Sequence, residues 1–275
     1  MGITDRILTI EQSAEAAWPA LREETLEGWR LRFADGFTRR SNSVQPFQLE
    51  GRQGGEALDG HPSMEGVKEG HEALVGRIAA CEAAYHAMDQ PAIFRILPPL
   101  DTNGLADVLS GRGYRREGET VVMAREFLPE YSVKDGKVTA FEDPLSGAAL
   151  AALIRLTHTP ERHQGTFAAL LKRGSPPRTT AHTAALLSQG EEIICCGRGV
   201  VAAGRLGVFD VATDPGRRRQ GLATLLVAGL MDWGRIQGAT EAYLQVEADN
   251  KEAMRLYRRL GFSELYRYGY WARRG

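Results

Sequence analysis

Residues 206–238 constrain this chain more than any other stretch. An apolar run from Leu206 to Thr213 breaks at Asp214-Pro215-Gly216, and an arginine cluster then opens straight into an amphipathic pattern. The run has the short, bounded character of a buried strand, and the break has turn chemistry. From Leu222 the apolar positions fall at 222, 225, 226, 230 and 233, the spacing of one buried helical stripe, and Gly238 suits a left-handed stop. Between strand and helix lies Arg217-Arg218-Arg219-Gln220-Gly221-Leu222-Ala223. Gly221 and Ala223 lack bulk, so free N–H groups at the helix start can close on an anion, helped by the helix dipole and the arginines. The chain has no GxxxxGK[ST] and no GxGxxG, which removes the P-loop and the dinucleotide fingerprint.

The loop Arg218-Arg219-Gln220-Gly221-Leu222-Ala223 resembles the R/Q-x-x-G-x-G/A loop with which GNAT N-acetyltransferases hold the pyrophosphate of acetyl-CoA. A second segment follows: residues 242–246 read as a strand, and residues 249–262 (DNKEAMRLYRRLGF) read as a capped helix ending at Gly261. It is similar to the family's N-x-x-A-x-x-L-Y-x-x-L-G-F pattern, at Asn250, Ala253, Leu256, Tyr257, Leu260, Gly261 and Phe262. The resemblance covers roughly residues 140–275, about half of the chain.

With 275 residues, 43% hydrophobic and 25% charged, the chain can bury two modest cores. A formal net charge of −1 gives no electrostatic case for nucleic acid or an anionic membrane as partner. The N-terminus is mixed and acidic where a signal peptide would be basic and then apolar, and no apolar run approaches the ~18 residues of a membrane span, so a cytoplasmic location is expected. The three cysteines, Cys81 and the adjacent Cys195-Cys196, read as small core residues. The six histidines lack metal-ligand spacing, and no metal is expected.

Taken in order, residues 10–26 have helical composition. At 28–44 the period changes to alternation, with Asp35-Gly36 as the hairpin turn and a second strand through Arg39 and Arg40. Residues 51–70 hold six glycines with little periodicity and read as a loop. A helix over 74–88, a strand at 92–97, a helix around 102–110 and a strand at 120–127 complete the first half. Helix, Gly-aromatic, strand is also the order near the C-terminus, and residues 109–125 align with residues 257–273 as an internal repeat. The expectation is α/β (α+β) with two GNAT-like mixed-sheet domains, a degenerate one over 1–130 and a catalytic one over 140–275. The first half has no Arg-rich Gly-x-Ala turn before its helix and no tyrosine four residues before its Gly-aromatic pair.

The resemblance implies acetyl-CoA-dependent transfer to an amine by direct attack in a ternary complex. A lysine-like amine, pKa ~10.4, is neutral in about one molecule per thousand at pH 7, so a proton acceptor helps; the departing thiolate, pKa ~8.5, can take a proton from a tyrosine. Tyr257 fits that acid. For the base, Asp210 and Glu247 stand beside a water chain or a residue of the first half. The cofactor set implied is Val211, Ala212 and Thr213 by backbone, Arg218, Arg219, Gln220, Gly221, Leu222, Ala223 and Thr224 at the loop, and Asn250 and Tyr257. Arg39, Arg40 and Asn42 offer donors suited to an acceptor bearing a carboxylate or hydroxyls. A small-molecule primary amine is the expected acceptor; a protein amine, and a non-catalytic acyl-CoA-binding module, are the alternatives.

Overall fold

The computed structural model describes residues 2–46, 70–101, 104–127 and 140–273. The glycine-rich loop expected at 51–70 lies, apart from Gly70, outside the described residues. In chain order the first elements are α1 (Ile3–Ala17), β1 (Arg22–Leu26), β2 (Trp29–Phe33), β3 (Val44–Gln45), α2 (His71–His86), β4 (Ile93–Ile96), α3 (Leu105–Gly111) and β5 (Arg115–Glu126). There follow β6 (Ala140–Glu142), α4 (Gly147–Leu156), α5 (Glu161–Arg173), β7 (Ala181–Gln189), β8 (Glu192–Ala202) and β9 (Arg205–Thr213). The last are α6 (Leu222–Ile236), β10 (Glu241–Glu247), α7 (Lys251–Arg259) and β11 (Ser263–Ala272).

These elements pack as two compact units, Met1–Leu21 with Glu119–Arg267, and Arg22–Gly118 with Tyr268–Gly275. The units are therefore interleaved along the sequence rather than divided once between 130 and 140. In the larger unit, α1 buries Ile7, Ile10, Ala14 and Ala17 at helical spacing. Ser13 Oγ donates to the Ala202 carbonyl at 3.1 Å, and Arg6 and Arg205 converge on the buried Glu241 carboxylate. The strand order is β5-β10-β9-β8-β7-β6. Helix α6 covers one face by close approach: a Cβ on Gly197 or Gly199 of β8 would lie 2.7 Å from Leu226 and 2.9 Å from Leu230. In the smaller unit the order is β1-β2-β3-β4-β11, and Trp29, Leu31, Val44, Phe94 and Trp271 pack with Leu74, Ile78 and Leu109.

Two expectations for the first half give way. The helix ends at Ala17, and residues 22–26 are a strand paired antiparallel with β2 across a turn at Glu27-Gly28; Asp35-Gly36 is a tight turn as well, the Phe37 N–H donating to the Ala34 carbonyl at 2.8 Å. The second strand expected through Arg39 and Arg40 is a 3-10 turn, Arg39–Ser41, and only Val44–Gln45 pairs with β2. The cause is Asn42. Its Oδ1 accepts from the Ala34 and Gly36 N–H groups at 2.7 and 3.1 Å, and its Nδ2 donates to the Phe37 and Thr38 carbonyls at 2.8 Å. A buried side chain that satisfies four backbone groups holds a loop where alternation alone suggests a strand.

After the short β6 the second half runs α4, α5, β7, β8, β9, α6, β10, α7, β11. Among the described residues no helix is long and apolar enough to cross a membrane.

Candidate active site

The site is built where two parallel strands part. β9 and β10 pair from Arg205↔Glu241 to Val208↔Leu244 and no further. Beyond that point β9 stays paired with β8 as far as Thr213↔Cys195, while β10 stays paired with β5 as far as Glu247↔Thr120. A gap opens between them, bordered on one side by the backbone of Val211, Ala212 and Thr213. The divergence has a local cause. The β8 register shifts between Cys196 and Arg198, so Asp210 and Val211 together face Gly197, and Asp210 takes φ 52°. An extra residue in the left-handed region bends a strand away from its neighbour.

The chain then turns back above this gap. Asp214 Oδ1 accepts from the Gly216 N–H at 2.9 Å, a 3-10 turn runs over Pro215–Arg217, and α6 starts after Gly221. Gly221 sits at φ 80° and offers no side-chain cap, so the first N–H groups of α6, at Leu222, Ala223 and Thr224, are left for an external acceptor. A Cβ on Gly221 would meet no atom within 4 Å. The restriction to glycine therefore comes from φ in the protein alone, and the open space beside it is where an anion can approach. Arg218, Arg219 and Gln220 are exposed around it. An uncapped helix start, exposed guanidinium groups and a backbone edge facing a gap fit a long ligand with a phosphate end and an amide-bearing arm.

Asn250 caps α7, its Oδ1 accepting from the Ala253 N–H at 3.0 Å. One face of α7 packs Met254 and Leu260 into the core that also receives Val211, Leu222, Ala253, Leu256 and Tyr257. The Tyr257 ring meets Phe262 edge-on at 6.1 Å. Burial pushes its hydroxyl up to about 12, so it is a neutral O–H donor throughout the ordinary assay range.

The two candidate bases are in different surroundings. Asp210 is the counter-ion of Arg198: Nε donates to Oδ2 at 2.5 Å, and Arg198 is fully buried between the rings of Trp18 and Phe209 at 4.9 and 5.3 Å. Asp210 is thereby the charge partner of a fully buried guanidinium. Glu247, at the end of β10, is exposed. Of the three donors expected to meet an acceptor, Asn42 is spent on its own loop. Arg39 lies over the Tyr270 ring at 5.0 Å and donates to the Glu117 carbonyl at 3.2 Å, while the Arg40 carbonyl accepts from Arg32.

Sequence reasoning missed Arg198 and His182. His182 Nε2 lies 3.0 Å from Arg198 Nη1, and its Nδ1 lies 3.0 Å from Ser175 Oγ, which donates to the Leu171 carbonyl. Burial first, and then the Arg198 charge, lower His182 to about 3 and keep it neutral. With the Ser175 proton committed to Leu171, the tautomer carries its proton on Nδ1 and accepts from Arg198. The one signal available was a lone arginine inside an apolar strand.

Comparisons with known proteins bear on the family and the fold. Residues 148–262 match the family described as "Acetyltransferase (GNAT) family", and residues 4–64 match one described as "Probable histone acetyltransferase Rv0428c C-terminal". The "Uncharacterized N-acetyltransferase YobR" of Bacillus subtilis is 26% identical over 97% of this chain and 98% of its own. A "GCN5-related N-acetyltransferase" from Kribbella flavida has a TM-score of 0.68 at 20% identity, covering 100% of this chain and 97% of its own. A "Tandem GNAT protein from the clavulanic acid biosynthesis pathway" has 0.59 at 15%, covering 96% and 86%. At these identities the two solved structures speak to fold.

Proposed function

We propose, for a chain that carries a GNAT acetyltransferase domain over residues 148–262 and is an acyltransferase, that the larger unit binds acetyl-CoA in the β9/β10 gap and acetylates a primary amine by direct attack. The observation that carries this reading is the parting of the strands beyond Val208 and Leu244, directly ahead of the uncapped start of α6. Pyrophosphate oxygens accept from the Leu222, Ala223 and Thr224 N–H groups with Arg218, Arg219 and Gln220 around them. The pantetheine amides pair with the backbone of Val211 to Thr213.

The amine nitrogen, once neutral, attacks the thioester carbonyl; the C–N bond forms as the C–S bond breaks and the sulfur leaves with the electron pair. Tyr257 donates its hydrogen bond to that sulfur. Since burial holds the Tyr257 proton tightly, its contribution is to stabilise the developing charge, with the proton shared rather than lost. Glu247, exposed at the end of β10, accepts the amine proton through water. The acceptor proposed is a small-molecule amine. Residues 1–130 are read as a copy that lacks this cofactor site.

Purified protein is tested by measuring acetyl-CoA binding and CoA release with a broad amine panel. Saturable binding with amine-dependent release is expected. Binding without release from any amine would favour the non-catalytic acyl-CoA-binding alternative.

A further inference from the structure

Helix α7 is only nine residues long, so its hold on the sheet depends on what meets its two ends. Asn250 meets the first. At the last turn the Leu260 N–H donates to the Leu256 carbonyl, the Gly261 N–H to Arg258 and the Phe262 N–H to Tyr257, at 3.1, 3.0 and 3.0 Å. The Leu260 carbonyl accepts from Arg125 Nη1, which reaches it from β5. The approach is close: a Cβ on Gly261 would lie 3.1, 3.2 and 3.2 Å from Arg125 Cζ, Nε and Nη1. A cation at a helix C-terminus also complements the dipole. Arg125 pairs with Ala242 of β10, and the same ladder runs on to Thr120↔Glu247, past the point where β10 leaves β9. One guanidinium therefore joins the helix that carries Tyr257 to the strand pair that borders the gap. Tyr257 is tied to the turn twice, since its carbonyl accepts from the Phe262 N–H and its ring meets the Phe262 ring at 6.1 Å.

We infer that Arg125 is a positioning residue for acetyl transfer: by holding the Leu260-Gly261-Phe262 turn on β5, it sets where the Tyr257 hydroxyl stands. The inference rests on the role proposed above for that tyrosine. The repeat supplies a control. Arg273 is the equivalent of Arg125 and meets the equivalent glycine, a Cβ on Gly113 lying 3.9 Å from its side chain; it also pairs with Glu82 at 3.5 Å and lies over the Tyr114 ring at 5.4 Å. The helix it meets, α3, carries Leu109 where α7 carries Tyr257. Loss of either arginine weakens a glycine-capped turn, but only loss of Arg125 displaces a group that meets the departing sulfur. A displacement on the order of 1 Å can lower a rate by about 100-fold.

The test is CoA release with the best amine of the panel, or acetyl-CoA hydrolysis where no amine is turned over, together with acetyl-CoA affinity and thermal unfolding. The variants are Arg125→Met, Arg125→Lys, Arg273→Met, Tyr257→Phe and the double variant R125M with Y257F. R125M is expected to lower kcat by roughly 10-fold or more with the acetyl-CoA dissociation constant within about twofold of wild type. Arg125→Lys keeps the charge without the planar fork and should recover part of the loss. R273M should lower the unfolding temperature and keep kcat within about twofold. In the Tyr257→Phe background, R125M should lower kcat by less than about twofold more, because a misplaced hydroxyl and a missing one have the same effect. Unchanged kcat in R125M, equal kcat losses in R125M and R273M, or losses that multiply in the double variant overturn the inference and leave the role of Tyr257 standing. If Tyr257→Phe alone keeps full kcat, the role of the tyrosine fails and the inference is overturned with it. Should R125M not fold, R125K enters the same cycle with Tyr257→Phe and is decided by the same outcomes.

Discussion

Two helix-to-strand turns in this chain have the same backbone and different chemistry. At the end of α3, Gly113 takes φ 85° and the Tyr114 N–H reaches the Leu109 carbonyl at 3.0 Å; at the end of α7, Gly261 takes φ 83° and the Phe262 N–H reaches the Tyr257 carbonyl at 3.0 Å. Both are left-handed glycine caps closed by a bond back to the last turn. The match extends further, since a Cβ on Gly113 would lie 3.9 Å from the Arg273 side chain and one on Gly261 3.1 Å from the Arg125 guanidinium, the two arginines being equivalent positions of the repeat. Within that shared frame, the carbonyl that closes one cap belongs to a buried leucine, and in the other to a tyrosine with a hydroxyl. The frame is a folding device; the side chain placed on it decides whether chemistry is available.

The helix starts differ in the opposite way. α2 begins after Gly70 at φ −62°, a conformation open to any residue, whereas α6 begins after Gly221 at φ 80° with the bulged Asp210 strand before it. The strained start belongs to the half with the candidate site.

The comparison can be broken most forcefully at Leu109. Leu109→Ala empties a fully buried position and should cost about 2–5 kcal/mol in denaturant unfolding while leaving the acetyl-CoA dissociation constant as it is; weakened binding would tie the first half to the cofactor. Next in size, Gly221→Val should raise that constant on the order of 100-fold, a branched residue being strained at this φ and standing where phosphate approaches. Its counterpart Gly70→Ala should stay within about 0.5 kcal/mol in stability and leave binding alone.

Tyr257→Phe should lower kcat by roughly 10- to 100-fold with unchanged acetyl-CoA affinity, as read by steady-state rates and calorimetry. With burial holding this hydroxyl up at about 12 against 10 for a free tyrosine, its protonated form is the stabilised one. That contribution is complete below pH ~10 and lost as pH rises through about 12. An alkaline limb in kcat near pH 9 that vanishes in Tyr257→Phe would contradict the burial. Gly113→Ala and Gly261→Ala should each cost about 1 kcal/mol in thermal unfolding, with Gly261 the larger because the Arg125 guanidinium must also move. A loss at one cap only would show that the two turns are not equivalent.

How much of this was legible in the sequence depended on the range of the interactions. Local chemistry was readable: Gly221 before α6, Asn250 at the start of α7 and Gly261 at its end are each fixed by neighbours within a few residues. Arg22 to Leu26 was missed because its polar composition is shared by surface helices, and pairing with β2 decides the matter. The strand expected through Arg39 and Arg40 failed because the four bonds of Asn42 do not register in an alternation pattern. Arg198 was invisible in another sense, since a single arginine gains meaning only when Trp18, His182 and Asp210, distant along the chain, surround it.

Calorimetric titration of acetyl-CoA into the wild-type protein tests the central claim most directly, that one half of a repeated frame carries the cofactor site. The prediction is one site per chain, abolished or greatly weakened by Gly221→Val and untouched by Leu109→Ala. Two equivalent sites per chain, or a single site indifferent to Gly221→Val, would contradict it.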